Sequence, residues 1–386
     1  MIVTRVWRLV SSFSELTAIF RSSDLHHTRH QDARKKLLTP VNSETILGTF
    51  PLTIPSLIAK CEQRLSRRRY PMQVMDLRGL SPAPVTAFTR DGEVDYAANA
   101  RIAKWLAGME GVKSLVILGH AGEGTFLTEE ERLKLIRTYV EAVDGQIPII
   151  AGITGEGTRV AAEEAKKCKA AGATGALVYP NHGWLRFGFQ KGAPQDRYKA
   201  IWQESGLQCI LFQYPDVTKA SYDLDTQLAI ATQEGVVATK NGVRNMKRWY
   251  VEIPALKKAN PNLQILSCHD EWLLPTMFDV DGLLVGYGNI APELLIDLIK
   301  AGKAQDYPEA RRIFEKLLPV TQAVYHRGSH MEGTVALKLG LVHRGLLDHA
   351  TIREPLKNLG EKAEQEIFAA FEAAGIGRAE RLIAAE

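Results

Sequence analysis

Cysteine is scarce in this sequence: four in 386 residues, Cys61, Cys168, Cys209 and Cys268, with neither a CxxC pair nor a regular spacing. Such scatter argues against a disulfide framework and a structural zinc site, and fits a reducing, cytoplasmic compartment. Long apolar runs are missing as well. None approaches the ~20 residues needed to span a bilayer, and the longest uncharged stretch near the start, Thr45–Ala59, is broken by Pro51 and Pro55. Two glycine-rich segments lack the marks of nucleotide loops. Gly119–Gly124 has no Gly-Lys-Ser/Thr ending, and Gly152–Gly157 has the wrong spacing for a dinucleotide fingerprint. The histidines form no HExxH pair, so a metal site is not expected from them.

Charge of one sign is also missing from most of the chain. Residues 1–74 hold 12 basic and 5 acidic side chains, including the run Arg67, Arg68, Arg69, while the remainder holds 36 basic and 39 acidic. The main body therefore has no basic bias toward nucleic acid. The leader reads as an extension outside the fold, with a transit or membrane-surface segment as the alternative. Strand-like sequence begins only after Met72 and Met75.

What is present is an ordinary globular composition, 45% hydrophobic and 24% charged, able to bury a sizeable core. Short Val/Ile/Leu-rich runs alternate with segments of helical character, the signature of βαβ units. Eight runs stand out: Gly79–Phe88, Ser114–Leu118, Pro148–Gly152, Gly175–Tyr179, Cys209–Phe212, Gly235–Lys240, Leu263–Ser267 and Gly282–Gly286. Most are apolar at consecutive positions, as parallel strands buried on both faces should be. Eight such strands predict an α/β fold, a (β/α)8 TIM barrel, over residues 75–302. Helical segments are expected at Thr128–Val143 and Thr158–Ala171, each opened by a capping hydroxyl. Beyond Ala291 helices are expected at Leu295–Ala301, Pro308–His326, Thr334–Leu341 and Leu356–Ala374, with residues 303–386 forming a C-terminal helical appendage.

In such barrels the active site lies where strands end and the following loops begin. Lys240 closes Gly235-Val-Val-Ala-Thr-Lys, an amine at the end of an otherwise apolar strand. Lysine is seldom buried without a purpose, and desolvation favours its neutral, nucleophilic form. The alternative is a lysine that snorkels to a solvated rim and pairs with a carboxylate. Glycines in Gly119-His120-Ala121-Gly122-Glu123-Gly124 can turn backbone N–H groups toward an anion. His120, His182 and Tyr214 are candidates for moving protons, against the alternatives of loop hydrogen bonding and ring packing.

Taken in order, these strand ends resemble the dihydrodipicolinate synthase and N-acetylneuraminate lyase family from about Leu77 to Leu347. The likeness rests on Ala83-Pro-Val-Thr-Ala-Phe followed by Asp91-Gly-Glu-Val-Asp, on Gly119–Glu123 followed by Leu127-Thr-Glu-Glu-Glu-Arg132, on Lys240, and on Gly288-Asn289-Ile-Ala-Pro292. The resemblance implies that Lys240 is the imine-forming lysine of a class I mechanism with no metal or organic cofactor, in a homo-oligomer, tetramer or dimer. Three departures bear on substrate. His120 and Ala121 stand where the family has hydroxyl residues. Phe212 stands where it has a tyrosine, with Tyr214 two positions on and on the same side of the strand. No arginine follows Pro215, where authentic dihydrodipicolinate synthases anchor the second substrate's carboxylate.

The expected function is a Schiff-base-forming lyase, aldolase or dehydratase, acting on pyruvate or a 2-keto-3-deoxy sugar acid. Lys240, Tyr214 and His120 are its catalytic residues. Gly119, Ala121, Gly122, His182, Phe212 and Gly286 bind the substrate. The alternatives are dihydrodipicolinate synthase itself and a barrel that binds a 2-oxo acid without turnover. A small molecule is the expected partner, with no nucleic acid and no membrane.

Overall fold

The computed structural model describes residues 73–379, which belong to a unit beginning at Gln73. The expected extension over residues 1–74 lies outside the described residues except for its last two. There the boundary shifts, because the Gln73 carbonyl accepts a bond of 2.8 Å from Gln208 Nε2.

Eight strands form one parallel sheet: β1 Leu80–Pro82, β2 Leu115–Ile117, β3 Ile149–Ile153, β4 Gly175–Val178, β5 Gln208–Gln213, β6 Val236–Asn241, β7 Gln264–Ser267 and β8 Gly282–Val285. Neighbours pair in the order β1-β8-β7-β6-β5-β4-β3-β2. A parallel bridge between Leu80 and Val112 joins β1 to the approach to β2 and closes the barrel. The first strand is much shorter than the apolar run Gly79–Phe88. Pro82 and Pro84 cannot donate to a ladder, and Asn289 takes over, its side chain bonding Val85 N at 3.0 Å and Ala83 O at 2.8 Å.

The helices between strands are α1 Tyr96–Ala107, α2 Glu129–Val143, α3 Thr158–Ala170, the short α4 His182–Phe187, α5 Ala193–Ser205, α6 Leu224–Ala231, α7 Met246–Ala259, the single turn α8 Leu273–Thr276 and α9 Pro292–Lys303. Thr128 caps α2 in a reciprocal box with Glu131, as its Thr-Glu-Glu-Glu start suggested. The start of α3 differs from the expectation. Gly157 is its cap with no side-chain bond, and the loop before it is held instead by Glu164, whose Oε2 accepts from Thr154 N at 3.0 Å and Gly155 N at 2.6 Å.

Strand alternation sorts the apolar side chains into two cores. On β5, Ile210 and Phe212 face the barrel interior, and Tyr214 just beyond the strand follows the same side, packing with Leu177, Leu266 and Leu284. Cys209 and Leu211 face the helices and pack with Tyr198, Ile201 and Ile230. The floor of the barrel is plugged by residues 73–77. Leu77 is fully buried, and its N–H donates 2.6 Å to Gln264 Oε1, while Met75 N donates 2.9 Å to Gln208 Oε1. These two glutamines, at the starts of β7 and β5, satisfy backbone that the open end of the barrel would otherwise strand.

Beyond α9 the chain is helical, with α10 Tyr307–Tyr325, α11 His330–His343 and α12 Glu361–Ala373. The last begins later than Leu356, because Gly360 at φ +83° breaks the approach. Helix α11 is buried from Gly333 to Leu341, so the appendage is packed onto the barrel mouth.

Candidate active site

The mouth of the barrel holds a cavity of about 540 Å³, within the size range of small-molecule sites. Lys240 lies in its wall, paired in register with Phe212 on β5 and Leu266 on β7. Its Nζ sits 4.2 Å from the centroid of the Phe212 ring. Among the described residues no carboxylate or hydrogen-bond partner engages that nitrogen. The snorkelling, ion-paired lysine considered from sequence is therefore not the arrangement found.

Of the other residues singled out from sequence, Gly119, His120, Ala121, Phe212, Tyr214 and Gly286 line the same cavity. Two do not. His182 is turned to the outer side of its loop, where Nδ1 meets Glu156 Oε1 at 2.5 Å and both side chains are about half exposed. Asn181 caps α4, the cap fixes His182 as its first residue, and the bond to Glu156 occupies its ring. Gly122 supports the loop from behind. Its carbonyl accepts 2.6 Å from Thr86 Oγ1, and a Cβ there would lie 2.9 Å from Pro84 O, so its role in the geometry is close packing.

The Tyr214 hydroxyl lies 3.2 Å from His120 Nε2. Burial, reinforced by the neighbouring phenols, holds the Tyr214 pKa well above its usual value, so the phenol keeps its proton and donates. The His120 ring is open to the cavity yet surrounded by protein. Desolvation and the nearby Lys240 push its pKa down to about 3, leaving a neutral imidazole that accepts. Beneath it, the Tyr179 hydroxyl accepts from His120 N at 3.2 Å, and the Tyr179 ring meets the imidazole edge-on at 4.8 Å.

The wall opposite contains groups outside the site expected from sequence. Asp270 is buried, and its Oδ1 accepts from Tyr287 N at 3.0 Å and Tyr325 Oη at 2.8 Å. Desolvation and the adjacent Glu271 raise its pKa. Burial works against ionisation of Glu271, but the Arg244 guanidinium outweighs it and the pKa is lowered. Arg244 grips Glu271 through Nη2 at 3.1 and 3.2 Å, its backbone held at φ +52°. Cys268, buried beside Lys240, has a thiol pKa raised by desolvation. Tyr179, Cys268, Asp270 and Glu271 follow strands and carried the strand-end signal. Tyr325, His330 and Leu337 come from α10 and α11 and carried none. Among the described residues no group of three or more His, Cys, Asp or Glu side chains is placed to hold a metal ion.

Comparison with known proteins follows the same geometry. Residues 76–374 match the Dihydrodipicolinate synthetase family. A probable 2-dehydro-3-deoxy-D-pentonate aldolase of Escherichia coli (strain K12) is 27% identical over 303 residues, 77% of this chain and 97% of that protein. A 4-hydroxy-tetrahydrodipicolinate synthase of Leptothrix cholodnii is 30% identical, covering 76% of this chain and 97% of that one. Among solved structures, the chloride-inhibited dihydrodipicolinate synthase of Acinetobacter baumannii, complexed with pyruvate, superposes with a TM-score of 0.69 at 28% identity, covering 78% of this chain and 99% of its own.

Proposed function

This chain belongs to the dihydrodipicolinate synthetase family and is a lyase of that family, and from that premise we propose that Lys240 forms an imine with pyruvate or a 2-keto-3-deoxy sugar acid. The observation that carries the reading is the Lys240 amine, lying against the Phe212 ring in a cavity wall with no carboxylate partner among the described residues. Its nitrogen attacks the 2-oxo carbon, water leaves, and the iminium takes up the electron pair when the C3–C4 bond breaks. That cleavage releases an aldehyde and leaves an enamine, which is protonated at C3 and hydrolysed to pyruvate. Loss of a 3-proton and a hydroxyl from the same iminium gives the dehydratase outcome.

Tyr214 takes the proton of the C4 hydroxyl as it gives its own to C3 of the enamine, so the phenol ends protonated as it began, while His120 Nε2 stays neutral, accepts the phenol's hydrogen bond and orients it. Gly119 and Ala121 present backbone to the substrate carboxylate, and Gly286 leaves room for it on the far wall. The substrate is favoured over the lysine-biosynthetic pair because Asp216, the residue after Pro215, is tied to Arg248 and to Asn245 Nδ2 at 2.8 Å. Cytoplasmic location and assembly as a dimer or tetramer belong to the same reading. The former is supported by the buried free thiols of Cys168, Cys209 and Cys268.

Borohydride added with pyruvate tests the proposal. A stable mass increment on the peptide containing Lys240 is expected, and Lys240→Arg should abolish both adduct and turnover, because guanidinium stays protonated. An adduct on a different lysine, or normal turnover by Lys240→Arg, would sink it.

A further inference from the structure

The glycine loop that carries His120 is bracketed by two non-glycine residues in the left-handed region, Leu118 at φ +62° and Glu123 at φ +51°. Such residues press Cβ against carbonyl oxygen and persist only where the surroundings hold them. The turn is also crowded from within, since a Cβ on Gly124 would lie 2.1 Å from Leu118 O. Three side chains hold the loop. Thr86 takes the carbonyl of Gly122 and Tyr179 takes the N–H of His120, both from inside the barrel.

The third hold comes from outside it. The Glu123 side chain is buried and its Oε1 pairs with the Nζ of Lys338 on α11, which is 1% exposed. Glu123 Oε2 accepts from Arg353 N at 3.2 Å, and Lys338 Nζ also donates 2.8 Å to Thr351 O. The Phe88 ring lies beneath both cations, 4.3 Å from Lys338 Nζ and 4.7 Å from Arg353. Lys338 has no exposed surface from which to attack a substrate, so it is not a second nucleophile. Leu337, its neighbour on α11, lines the cavity. One helix thus contributes cavity wall and, through the next residue, the anchor of the glycine loop.

We propose that the Glu123–Lys338 pair is a positioning device: it holds the strained glycine loop so that His120 meets Tyr214 and the backbone of Gly119 and Ala121 meets the 2-oxo acid. The C-terminal helices are then a working part of the site. The inference rests on the imine reading above. A misplaced group can cost far more in function than in stability, since a shift of about 1 Å can cost ~10²-fold in rate. Buried ion pairs behave in the opposite way toward stability. Removing one partner is strongly destabilising, whereas replacing both by uncharged groups is often neutral.

That contrast supplies the test. Borohydride trapping of pyruvate on Lys240 is measured against pyruvate concentration, alongside the thermal midpoint, for the full chain and for Glu123→Asp, Lys338→Met and the double variant Glu123→Gln/Lys338→Met. Glu123→Asp keeps both charges and the fold but shortens the reach by one methylene; half-maximal trapping is expected to need at least about tenfold more pyruvate. The double variant should regain the midpoint lost in Lys338→Met without regaining the pyruvate response. Trapping by Glu123→Asp at the concentration the unchanged chain needs overturns the positioning role, as does a double variant that recovers trapping along with its midpoint. If the double variant does not fold, Glu123→Asp decides alone. If the unchanged chain gives no Lys240 adduct, the imine reading fails and this inference with it.

Discussion

The Tyr214 hydroxyl and His120 Nε2 stand 3.2 Å apart across the barrel, from the end of β5 to the loop after β2. Ninety-four residues of sequence separate them. The pair occupies the place where the resemblance led one to expect hydroxyl residues and a tyrosine one register position earlier. Phe212, in that earlier position, is 4.5 Å from Tyr214 between ring centroids and serves as an apolar face for Lys240.

Tyr214→Phe should therefore separate imine formation from proton transfer. The ring still packs, but the hydroxyl is lost. Turnover of a 2-keto-3-deoxy acid is expected to fall by ~10²-fold or more, the usual weight of a positioned acid or base. Borohydride trapping of pyruvate on Lys240 should persist. Equal loss of both, read by mass spectrometry and product assay, would remove Tyr214 from the proton-transfer role.

Acid sensitivity of the fold follows from His269, which is fully buried behind the barrel, accepting from Arg244 N at 3.1 Å and facing the Trp249 ring. Desolvation, then the Arg244 charge, push its pKa down to about 4. The folded state thus binds fewer protons than the unfolded one between about pH 6.5 and about pH 4. Stability from this group is complete above about 6.5 and is lost as pH falls through that window, with a slope of at most ~1.4 kcal/mol per pH unit for one proton. His269→Gln keeps an acceptor for Arg244 and should flatten the urea-midpoint profile between pH 7 and 4.5. A profile parallel to that of the unchanged chain would show that His269 does not titrate there.

Truncation should be tolerated up to Gln73 and no further. A chain starting at Gln73 retains the bonds from Gln208 and Gln264 and is expected to trap pyruvate as the full chain does. A chain starting at Gly79 loses the burial of Leu77, worth ~1.5–3 kcal/mol, and leaves both glutamines without their backbone partners at ~1–3 kcal/mol each. Insoluble or strongly destabilised protein is expected in that case. Comparable thermal midpoints for the two truncations would contradict the floor-plug account.

Condensation of pyruvate with aspartate semialdehyde should be absent or very slow. Asp216 is occupied by Arg248 and Asn245, and Arg244, the arginine that does line the cavity, is held by Glu271. A missing charge-assisted anchor is worth ~1.5–3 kcal/mol. Turnover of several per second in a coupled assay, within the ordinary range of ~1–10³ per second, would show that another group holds the second carboxylate.

The barrel was legible in the sequence because its strands are apolar on both faces and recur between amphipathic segments, a pattern set by local burial. Strand ends were legible for the same reason, so Lys240, His120, Phe212 and Tyr214 could be named by position, and period two placed Tyr214 on the side of Phe212. Burial of helix α11 on all sides hid its role. With no polar face to betray an orientation, nothing in Thr334–Leu341 marked Leu337 as cavity wall or Lys338 as the partner of Glu123. His182 and Gly122 show the converse: both follow strands, yet a helix cap decided the place of His182, and the close approach of the β1 loop left Gly122 packed against Pro84. Local sequence determined which residues reach the barrel mouth. Which of them meet there depends on contacts between elements more than two hundred residues apart, such as Leu118–Gly124 clamped by Lys338 and Arg353, and these only the packed tertiary structure decided.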